Sequence, residues 1–380
     1  MRITQTLALI AHYRLTDGIQ YPLKRVPREG TLKLSVTVDL NVIRNNLYRI
    51  RESTGREILL MVKADGYGHG MTEVAEATSD IVAMFGVATV EEGAELRAAG
   101  IEKGILTAIC TPSELPRAAE CGLTVAVADD GLLDALAEYA KTHTPPDFHV
   151  KLDTGMHRLG FDCSRAKEIV ARLKAEGLRP SGCYSHMRSA DSGQAAVFGE
   201  AAEIFSAAFP EAVMHLASSS SVSDERNLFD MVRIGHAAYD GAMRVTSRVI
   251  AARRVKRGEC VGYGNNRVDK DCNIAVVFGG YFDGIRRESP SSVIIRGRKC
   301  ATVGTVCMDM FAVDTGDFLA EDGEEVVLQG AELTAREVAD QRNTIDYTVM
   351  TGWHGRTERI YVYDESGSQK TCEIAYCEDE

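Results

Sequence analysis

The sequence lacks the closely spaced cysteine pairs that mark zinc sites, redox motifs and disulfide-rich secreted domains. Its ten cysteines are scattered along 380 residues without a single CxxC pair. It also lacks a long apolar run, because the segment "LALIA" near the start is too short for a secretory signal or a membrane span. We therefore expect reduced thiols, a cytoplasmic location and no membrane partner.

The sequence has fewer basic than acidic residues. The 43 lysines and arginines are outnumbered by 55 aspartates and glutamates, which gives a formal net charge of -12. A surface of this sign repels nucleic acid and anionic membranes, so neither is expected as the main partner. A small anion can still bind at local backbone amides and arginines.

Short apolar or β-branched runs alternate with amphipathic segments from residue 32 onwards, after an opening stretch without clear pattern. Helical segments are predicted at 41–53, 130–143 and 164–177. The rhythm predicts a parallel (β/α)8 barrel of the TIM type, although an open doubly wound sheet has the same pattern. The eight runs are 57–63, 84–90, 104–110, 124–129, 148–154, 182–187, 213–218 and 231–237.

The alternation of strand-like and helix-like segments ends near residue 245, and the segments that follow are mostly strand-like. No low-complexity segment or internal repeat is present, and 380 residues suffice for a barrel and a second domain. We predict three regions, which are an N-terminal extension at 1–31, the barrel at 32–247 and a mostly β C-terminal domain at 248–380.

One stretch, "LLMVKADGYGHG" at 59–70, places Lys63 at the end of a strand and directly before a glycine-rich turn. Strands often end at the surface, where a lysine is simply solvated. A partly desolvated lysine, in contrast, loses its proton more easily and can form a Schiff base with a carbonyl. The motif alone leaves both interpretations open.

Polar residues follow the other strands of the predicted barrel as well. The carboxyl ends of barrel strands meet at one face, which is where barrel enzymes carry their active sites. The residues expected at this face are Lys63, Tyr67, Lys151, Asp153, Arg158, His186, Asp191, Ser218, Ser219, Arg233, Gly235 and His236.

The loops after strands seven and eight, "HLASSSS" and "RIGHA", offer hydroxyls and a glycine. Barrels often bind phosphate there, although a serine run is also a common helix start. A phosphate site opposite a strand-end lysine points to pyridoxal phosphate, because its aldehyde reacts with the lysine and its phosphate needs such a cradle.

Several blocks of the sequence together resemble the alanine racemase family. The resemblance runs from about residue 33 to 363, and the blocks occur in the right order, which makes it specific. It implies a pyridoxal-phosphate enzyme built as a barrel plus a β domain. The blocks are "VKADGYGHG", "KLDTGMHRLGF", "YSHMRSAD", "HLASS", "VRIG", "VGYGNN", "GGYFDGIRR", "VGTVCMDM" and "DYTVMTG…RTERIY".

The resemblance implies two catalytic bases. Lys63 would bind the cofactor covalently and act as one base, and Tyr263 in "VGYG" would act as the other. Tyr263 would reach the site from the partner subunit of a homodimer with shared active sites. Without the resemblance, a tyrosine between two glycines would be interpreted as a turn residue.

The same resemblance implies the residues that hold the cofactor. Arg233 would face the pyridine nitrogen, His186 would link Arg233 towards Tyr263, and Arg158 would contact the phenolic oxygen. The residues implied for the phosphate are Tyr67, Ser219 and the backbone amides of Gly235 and His236.

Further positions are implied for the substrate and the entrance. Met308 would bind the substrate carboxylate through its backbone N–H, together with Arg158. Lys151 matches a lysine that is carbamylated in many members of the family and orients that arginine. The implied entrance residues are Asp191, Tyr281 and Arg287.

Two bases on opposite faces suit racemisation, because a proton leaves one face of the α-carbon and another returns to the opposite face. Lysine and tyrosine both have reference pKa values near ~10, so each must be lowered to act near neutral pH. Neighbouring Arg158 and Arg233 favour a phenolate. A guanidinium at the pyridine nitrogen keeps that nitrogen unprotonated, which limits side reactions.

The sequence departs from the family pattern at a few positions. Thr305 replaces a usual arginine, Gly355 a frequent tyrosine, Trp353 a small aliphatic residue and Ile234 a proline. The loss of the tyrosine would open room beside the substrate methyl group, whereas the tryptophan would narrow the channel. We therefore expect a site that accepts alanine and also a larger or more polar amino acid, serine first.

Other functions remain as alternatives. A related decarboxylase or dehydratase would use a similar barrel, but the dehydratases need a zinc site, and Cys372 and Cys377 have no neighbouring histidine. No metal is therefore expected. Cys307 belongs to the racemase-like block "VCMD" and does not suggest a decarboxylase. Non-catalytic cofactor carriers of this kind are single barrels without the β domain.

Overall fold

The computed structural model describes residues 34–189, 193–287, 291–363 and 372–376. The predicted extension at 1–31 and the predicted entrance residue Asp191 lie outside these ranges. No helix in the described ranges is both long enough and apolar enough to span a membrane.

Eight parallel strands form a closed barrel, which confirms the predicted fold. The closure is made by pairing between β5 and β6, where Ala126 lies opposite His149. All four residues of β5 are buried, as expected for a parallel strand covered on both faces. The barrel strands are β2 (Glu57–Met61), β3 (Met84–Val87), β4 (Gly104–Thr107), β5 (Thr124–Val127), β6 (Asp147–Asp153), β8 (Gly182–Tyr184), β9 (Val213–Ser218) and β10 (Met231–Ile234), and a short β7 (Phe161–Asp162) pairs with β6.

Helices and helical turns connect these strands. In α6, for example, the Asp129 side chain accepts a hydrogen bond from the Leu132 backbone N–H at 2.9 Å, which caps the helix, and an apolar face packs inwards. The helical segments of this part of the chain are α1 (Leu40–Thr54), α2 (Lys63–Gly68), α3 (Met71–Thr78), α4 (Val90–Ala98), α5 (Leu115–Glu120), α6 (Asp130–Ala140), α7 (Ala166–Ala175), α8 (Gln194–Ala208) and α9 (His236–Tyr239).

A second, mostly antiparallel sheet of nine strands forms the C-terminal domain. Strand β11 is long enough to pair with both β16 and β12, so six of the strands close on themselves. The strands after β10 are β11 (Met243–Val255), β12 (Cys272–Phe278), β13 (Ser292–Ile295), β14 (Arg298–Val303), β15 (Met310–Gly316), β16 (Glu325–Gln329), β17 (Thr357–Tyr363) and β18 (Cys372–Tyr376).

The ninth strand comes from the other end of the chain. Strand β1 (Leu34–Asp39) lies between β11 and β17, antiparallel to the first and parallel to the second. The predicted boundaries at 32 and 247 therefore differ from the structure, in which β1 and the start of β11 belong to the sheet. The physical reason is the strict alternation of buried and partly buried residues in β1, which suits a sheet covered on one face.

Two short helices of the C-terminal domain, α10 (Ala335–Gln341) and α11 (Asp346–Met350), complete the described fold. Helix α11 lies against α2 at the carboxyl face of the barrel, where Tyr347 contacts Tyr67 with 5.9 Å between ring centroids. Most of the buried apolar residues of both domains, such as Leu60 and Val277, belong to one continuous core, and two smaller clusters lie apart from it. The second domain therefore forms part of the wall around the barrel's carboxyl face.

Candidate active site

The turn after Lys63 has a left-handed backbone. Ala64, Asp65, Gly66 and Tyr67 all have φ between 53° and 59°. For residues with a β-carbon this region costs roughly 1–2 kcal/mol each, so surrounding contacts must hold it in place. Asp65 provides two of them, accepting a hydrogen bond from the Met71 N–H at 2.9 Å and pairing with Arg359 at 2.5 Å. The glycine-rich break therefore folds the chain back and brings Tyr67 beside Lys63.

A cavity of about 560 Å³ opens at the carboxyl ends of the barrel strands. It brings together residues from six strand ends and from α11, and it holds nine of the residues predicted for the site. These are Lys63, Tyr67, Lys151, Arg158, His186, Ser219, Arg233, Gly235 and His236. The predicted convergence at this face is therefore observed for these nine residues and for Ser218, whereas Asp153 does not line the cavity.

Lys63 lies in an environment that favours its neutral form. Burial lowers the pKa of its amine, and the positive charges of Arg158 and Arg233 lower it further, while Glu92 acts in the opposite direction. Glu92 is held in place by the Ala64 N–H, which donates to Oε1 at 2.9 Å. A neutral amine is the form that attacks a carbonyl or accepts a proton.

Hydroxyls and backbone amides converge at the ends of β9 and β10. The Ser219 hydroxyl oxygen accepts hydrogen bonds from the N–H groups of Gly235 at 3.0 Å and Ala237 at 3.2 Å. A β-carbon on Gly235 would lie 2.4 Å from the Tyr67 hydroxyl, so only glycine permits this approach. Burial raises the pKa of Tyr67 to about 12, which keeps its hydroxyl available as a donor. Because the Ser219 oxygen accepts from these amides, its O–H can donate alongside that of Tyr67, and these donors fit a phosphate group.

Arg233 crosses the interior of the barrel and is only 6% exposed. One of its terminal nitrogens donates to the Ser185 carbonyl at 2.9 Å and to His186 Nδ1 at 2.9 Å, and the other lies 3.1 Å from His215 Nδ1. His215 Nε2 in turn lies 2.9 Å from His149 Nδ1. The sequence analysis selected neither His215 nor His149 as a site residue.

The protonation of Arg233 and of these three histidines follows from their pKa values and from which atoms can donate or accept a hydrogen bond. Burial, together with Arg233, lowers the pKa of His186 and of His149 to about 3 and that of His215 well below its usual value. All three rings are therefore neutral. Because a guanidinium only donates, Nδ1 of His186 and His215 must accept, and His215 Nε2–H donates to His149. The orientation of Arg233 is thus fixed by neutral partners, and its charge is directed towards the cavity.

Lys151 and Arg158 form the opposite side of the cavity. Lys151 is 7% exposed, and its ammonium nitrogen lies 5.5 Å from the centre of the Tyr184 ring. Burial, followed by the charges of Arg158 and Arg233, lowers the pKa of Lys151 to about 8. Three arginines (Arg158, Arg188 and Arg233) line this cavity beside the two lysines, so the site is positively charged even when Lys63 is neutral.

The predicted residues of the C-terminal domain lie away from this cavity. Tyr263 is 67% exposed and Met308 is 51% exposed, and neither lines the cavity of their own chain. The Asn266 side chain donates to the Tyr263 carbonyl at 2.7 Å and to the Thr305 hydroxyl at 3.4 Å, which supports the turn. Tyr281 and Arg287 also lie outside the cavity, so this chain alone does not bring the two predicted bases together.

Helix α11 supplies site residues that sequence reasoning missed. Tyr347 lines the cavity, and its ring lies 4.8 Å from that of His236. His236 Nε2 lies 2.9 Å from Asp346 Oδ2. The block "DYTVMTG" contained both residues, but nothing in its spacing indicated that it packs against the barrel.

Trp353 and Gly355, which were expected to shape the substrate pocket, also lie outside this cavity. Trp353 is buried, and its indole N–H donates to Gln329 Oε1 at 3.0 Å. Gly355 has φ +72°, and a β-carbon there would lie 2.6 Å from the Phe282 carbonyl oxygen. In this chain, the glycine therefore allows a close backbone approach.

Two family models together match almost the whole described chain. Residues 38–242 match the model of the alanine racemase N-terminal domain, and residues 242–361 match the model of the alanine racemase C-terminal domain. The alanine racemase of Thermobifida fusca is 32% identical over 361 residues, covering 85% of this chain and 96% of the relative.

Solved structures have the same architecture. The alanine racemase of the D-cycloserine producer Streptomyces lavendulae gives a TM-score of 0.82 at 30% identity, covering 89% of this chain and 99% of that one. The alanine racemase of Bartonella henselae, solved with covalently bound pyridoxal phosphate, gives 0.80 at 24% identity over 87% of this chain and 100% of that one, which is a likeness of fold. Together with the matches to both domains, these findings place the chain in the alanine racemase family.

Proposed function

We propose that the protein is a pyridoxal-phosphate-dependent racemase that interconverts L- and D-alanine. The observation that carries this proposal is the meeting of Lys63, the donors around Ser219 and the Arg233 guanidinium in a single cavity. These groups match the aldehyde, the phosphate and the ring nitrogen of pyridoxal phosphate, and membership of the alanine racemase family supports the same cofactor.

The residues of the cavity would divide the binding of the cofactor among them. Lys63 would form the covalent bond, and the amides and hydroxyls near Ser219, Gly235, His236 and Tyr67 would bind the phosphate. Arg158 would contact the phenolic oxygen. When bound, pyridoxal phosphate withdraws electrons from the substrate and makes the proton on the α-carbon acidic.

The neutral histidines give Arg233 a further role. Because a guanidinium does not release its proton, Arg233 at the ring nitrogen would leave that nitrogen unprotonated and limit the withdrawal of electrons. This restraint favours return of a proton to the α-carbon over side reactions. His186 would connect the same guanidinium to the second base.

A two-base mechanism needs a group on the face of the substrate opposite Lys63. We propose that the partner subunit's Tyr263 is this group and that the enzyme works as a homodimer. The exposure of Tyr263 and Met308 supports this arrangement, since both side chains are available to complete a site on another copy. Lys63 would exchange a proton with one face of the α-carbon and the tyrosine with the other.

We also propose that the enzyme works in the cytoplasm on small amino acids. The eight cysteines whose side chains the structure describes are unpaired thiols, as expected in a reducing compartment. Arg158 and the partner's Met308 N–H would bind the substrate carboxylate, while Tyr281, Arg287 and Asp191 would line the entrance. Lys151 carrying a carbamate would orient Arg158.

Two measurements on the purified holoenzyme test the proposal. L-alanine and L-serine are each incubated with the enzyme and followed by chiral chromatography, with pyruvate and carbon dioxide measured in the same samples. Racemisation of alanine supports the proposal, whereas formation of pyruvate or carbon dioxide alone would identify a dehydratase or a decarboxylase. Borohydride reduction followed by peptide mapping should place the cofactor on Lys63, and a label on Lys151 would overturn the assignment of the site.

A further inference from the structure

A separate cavity of about 250 Å³ lies between helices α10 and α11 and the segment that follows β12. Its walls carry the side chains of Arg286, Arg342, Thr348 and His354, and no acidic residue is among its described lining residues. Two arginines therefore face one small volume without a carboxylate in that wall.

Arg342 is the less usual of the two arginines. Its side chain is 8% exposed, and its Nε has no hydrogen-bond partner within the described part of the chain. Burial and the nearby charge of Arg286 lower the pKa of Arg342 to about 10, so it remains a cation near neutral pH. A buried guanidinium normally has its charge paired and its N–H groups bonded, because their loss of hydration is costly.

Arg286 does not supply the hydrogen-bond acceptor that Arg342 Nε lacks. It donates a hydrogen bond to the Arg342 backbone carbonyl at 3.3 Å, at the C-terminal end of α10. A guanidinium has five N–H donors, so this contact leaves donors directed to the cavity. No ion pair involves Arg286 in the ranges that the structure describes.

The ring of Trp353 compensates only part of the charge. The Arg342 guanidinium carbon lies 5.8 Å from the centre of that ring, a cation–π contact. Such a contact stabilises the charge but accepts no hydrogen bond at the edge of the guanidinium. Within the described residues, the Arg342 Nε–H still lacks an acceptor, and the Arg342 carbonyl occupies only one of the five donors of Arg286.

We propose that this cavity binds a small oxyanion with at least two acceptor oxygens, such as inorganic phosphate or a short dicarboxylate. Planar guanidinium groups bind phosphate and carboxylate oxygens in pairs, and the His354 ring adds a polar group to the same wall. The bound anion links α10 and α11 to the segment that carries Tyr281.

Helix α11 connects this site to the barrel cavity. Thr348 and Val349 line the anion cavity, whereas Tyr347 lines the barrel cavity and Asp346 pairs with His236. An anion bound to one face of the helix therefore restrains the residues on its other face. Binding should appear as stabilisation of the folded holoenzyme, because a ligand that binds only the native state raises Tm.

The experiment measures Tm of the holoenzyme during titration with potassium phosphate, potassium malonate or potassium chloride, with excess pyridoxal phosphate and constant ionic strength. Phosphate or malonate should raise Tm of the wild type along a saturable curve, and chloride should not. A response to phosphate alone or to malonate alone supports the site and identifies its preferred anion. The absence of any saturable rise in the wild type would overturn the proposal.

Three variants localise the effect. Arg286→Gln changes an exposed side chain and should raise the half-saturating anion concentration about tenfold, equivalent to one charged hydrogen bond. Arg342→Leu should abolish the response. Arg336→Leu is the matched control, since Arg336 lies on α10 and pairs with Asp340 at 3.1 Å, and its response should equal that of the wild type. An unchanged response in Arg286→Gln would overturn the proposal even if Arg342→Leu failed to fold.

Discussion

His236 Nε2 and Asp346 Oδ2 lie 2.9 Å apart and join the barrel to the C-terminal domain at the edge of the proposed phosphate site. His236 begins α9, directly after Gly235, and Asp346 begins α11. The pair therefore holds α11, and with it Tyr347, over the cradle formed by Ser219 and the backbone amides.

Replacing Asp346 should loosen the cofactor. In Asp346→Asn, His236 loses its charged acceptor and α11 is less firmly held, so we expect pyridoxal phosphate to bind about 3–10 times more weakly, as for a partly buried charged hydrogen bond. Equilibrium dialysis of the cofactor measures the change. Asp340→Asn removes an exposed carboxylate of the same domain and should bind as the wild type does; equal affinities in all three proteins would contradict the proposed role.

A shared active site can be tested with hybrid dimers. Lys63→Ala and Tyr263→Phe should each be nearly inactive, because each lacks one of the two proposed bases. After subunit exchange, a hybrid dimer contains one site with both bases, so racemisation should return to a fraction of the wild-type rate. Native mass spectrometry of the mixture verifies exchange, and hybrids without activity would show that both bases come from one chain.

Lys151 should react with carbon dioxide in a pH-dependent way. With a pKa of about 8, its neutral fraction rises from roughly one tenth at pH 7 to roughly nine tenths at pH 9. Only the neutral amine adds carbon dioxide, so carbamate formation should increase with pH across this interval. NMR with labelled bicarbonate detects the carbamate, and Lys151→Met provides the blank. A signal equally strong in the variant would assign the carbamate to another lysine.

Gly355 should tolerate a side chain poorly. Its φ of +72° disfavours any β-carbon, and that atom would also lie 2.6 Å from the Phe282 carbonyl oxygen. Gly100 has φ +89° and no atom within 4 Å of the same position, so Gly100→Ala isolates the cost of the backbone conformation. Gly355→Ala should therefore lower the free energy of unfolding more than Gly100→Ala. Equal losses in denaturant titrations would show that the close approach costs nothing.

The sequence predicted the features that depend on local pattern. Eight apolar runs predicted eight barrel strands, and polar residues at strand ends predicted which side chains would meet at the carboxyl face. The contribution of α11 to the site could not be predicted. Tyr347 contacts Tyr67 across 280 positions of the sequence, and such a contact produces no periodic pattern in the sequence. The contact between His149 and His215 could not be predicted for a similar reason. Both histidines lie within apolar strands, and whether they meet depends on the order of the strands in the barrel.

The position of β1 was also beyond local pattern. Its alternation was compatible with any half-covered sheet, and only the closed barrel and the free edges of β11 and β17 determine where it pairs. For Trp353 and Gly355, alignment with single positions of the family did not predict where the residues lie relative to the cavity. In this chain the Trp353 indole contacts Gln329, and the Gly355 backbone lies beside the Phe282 carbonyl, so neither residue lines the cavity at the barrel's carboxyl face.

Strand β1 makes the C-terminal sheet dependent on the first described residues of the chain. During synthesis, β1 emerges well before β11 and β17, so its backbone groups must wait for partners more than 200 residues away. Pairing over such separations is slow, and strands without partners readily associate with other chains. A fragment that begins after Asp39 would leave β17 and β18 without the strand that connects them to β11. The two ends of the described chain therefore meet in one part of this sheet, and a separately expressed C-terminal domain that begins after Asp39 would lack the strand that joins β17 to the six closed strands.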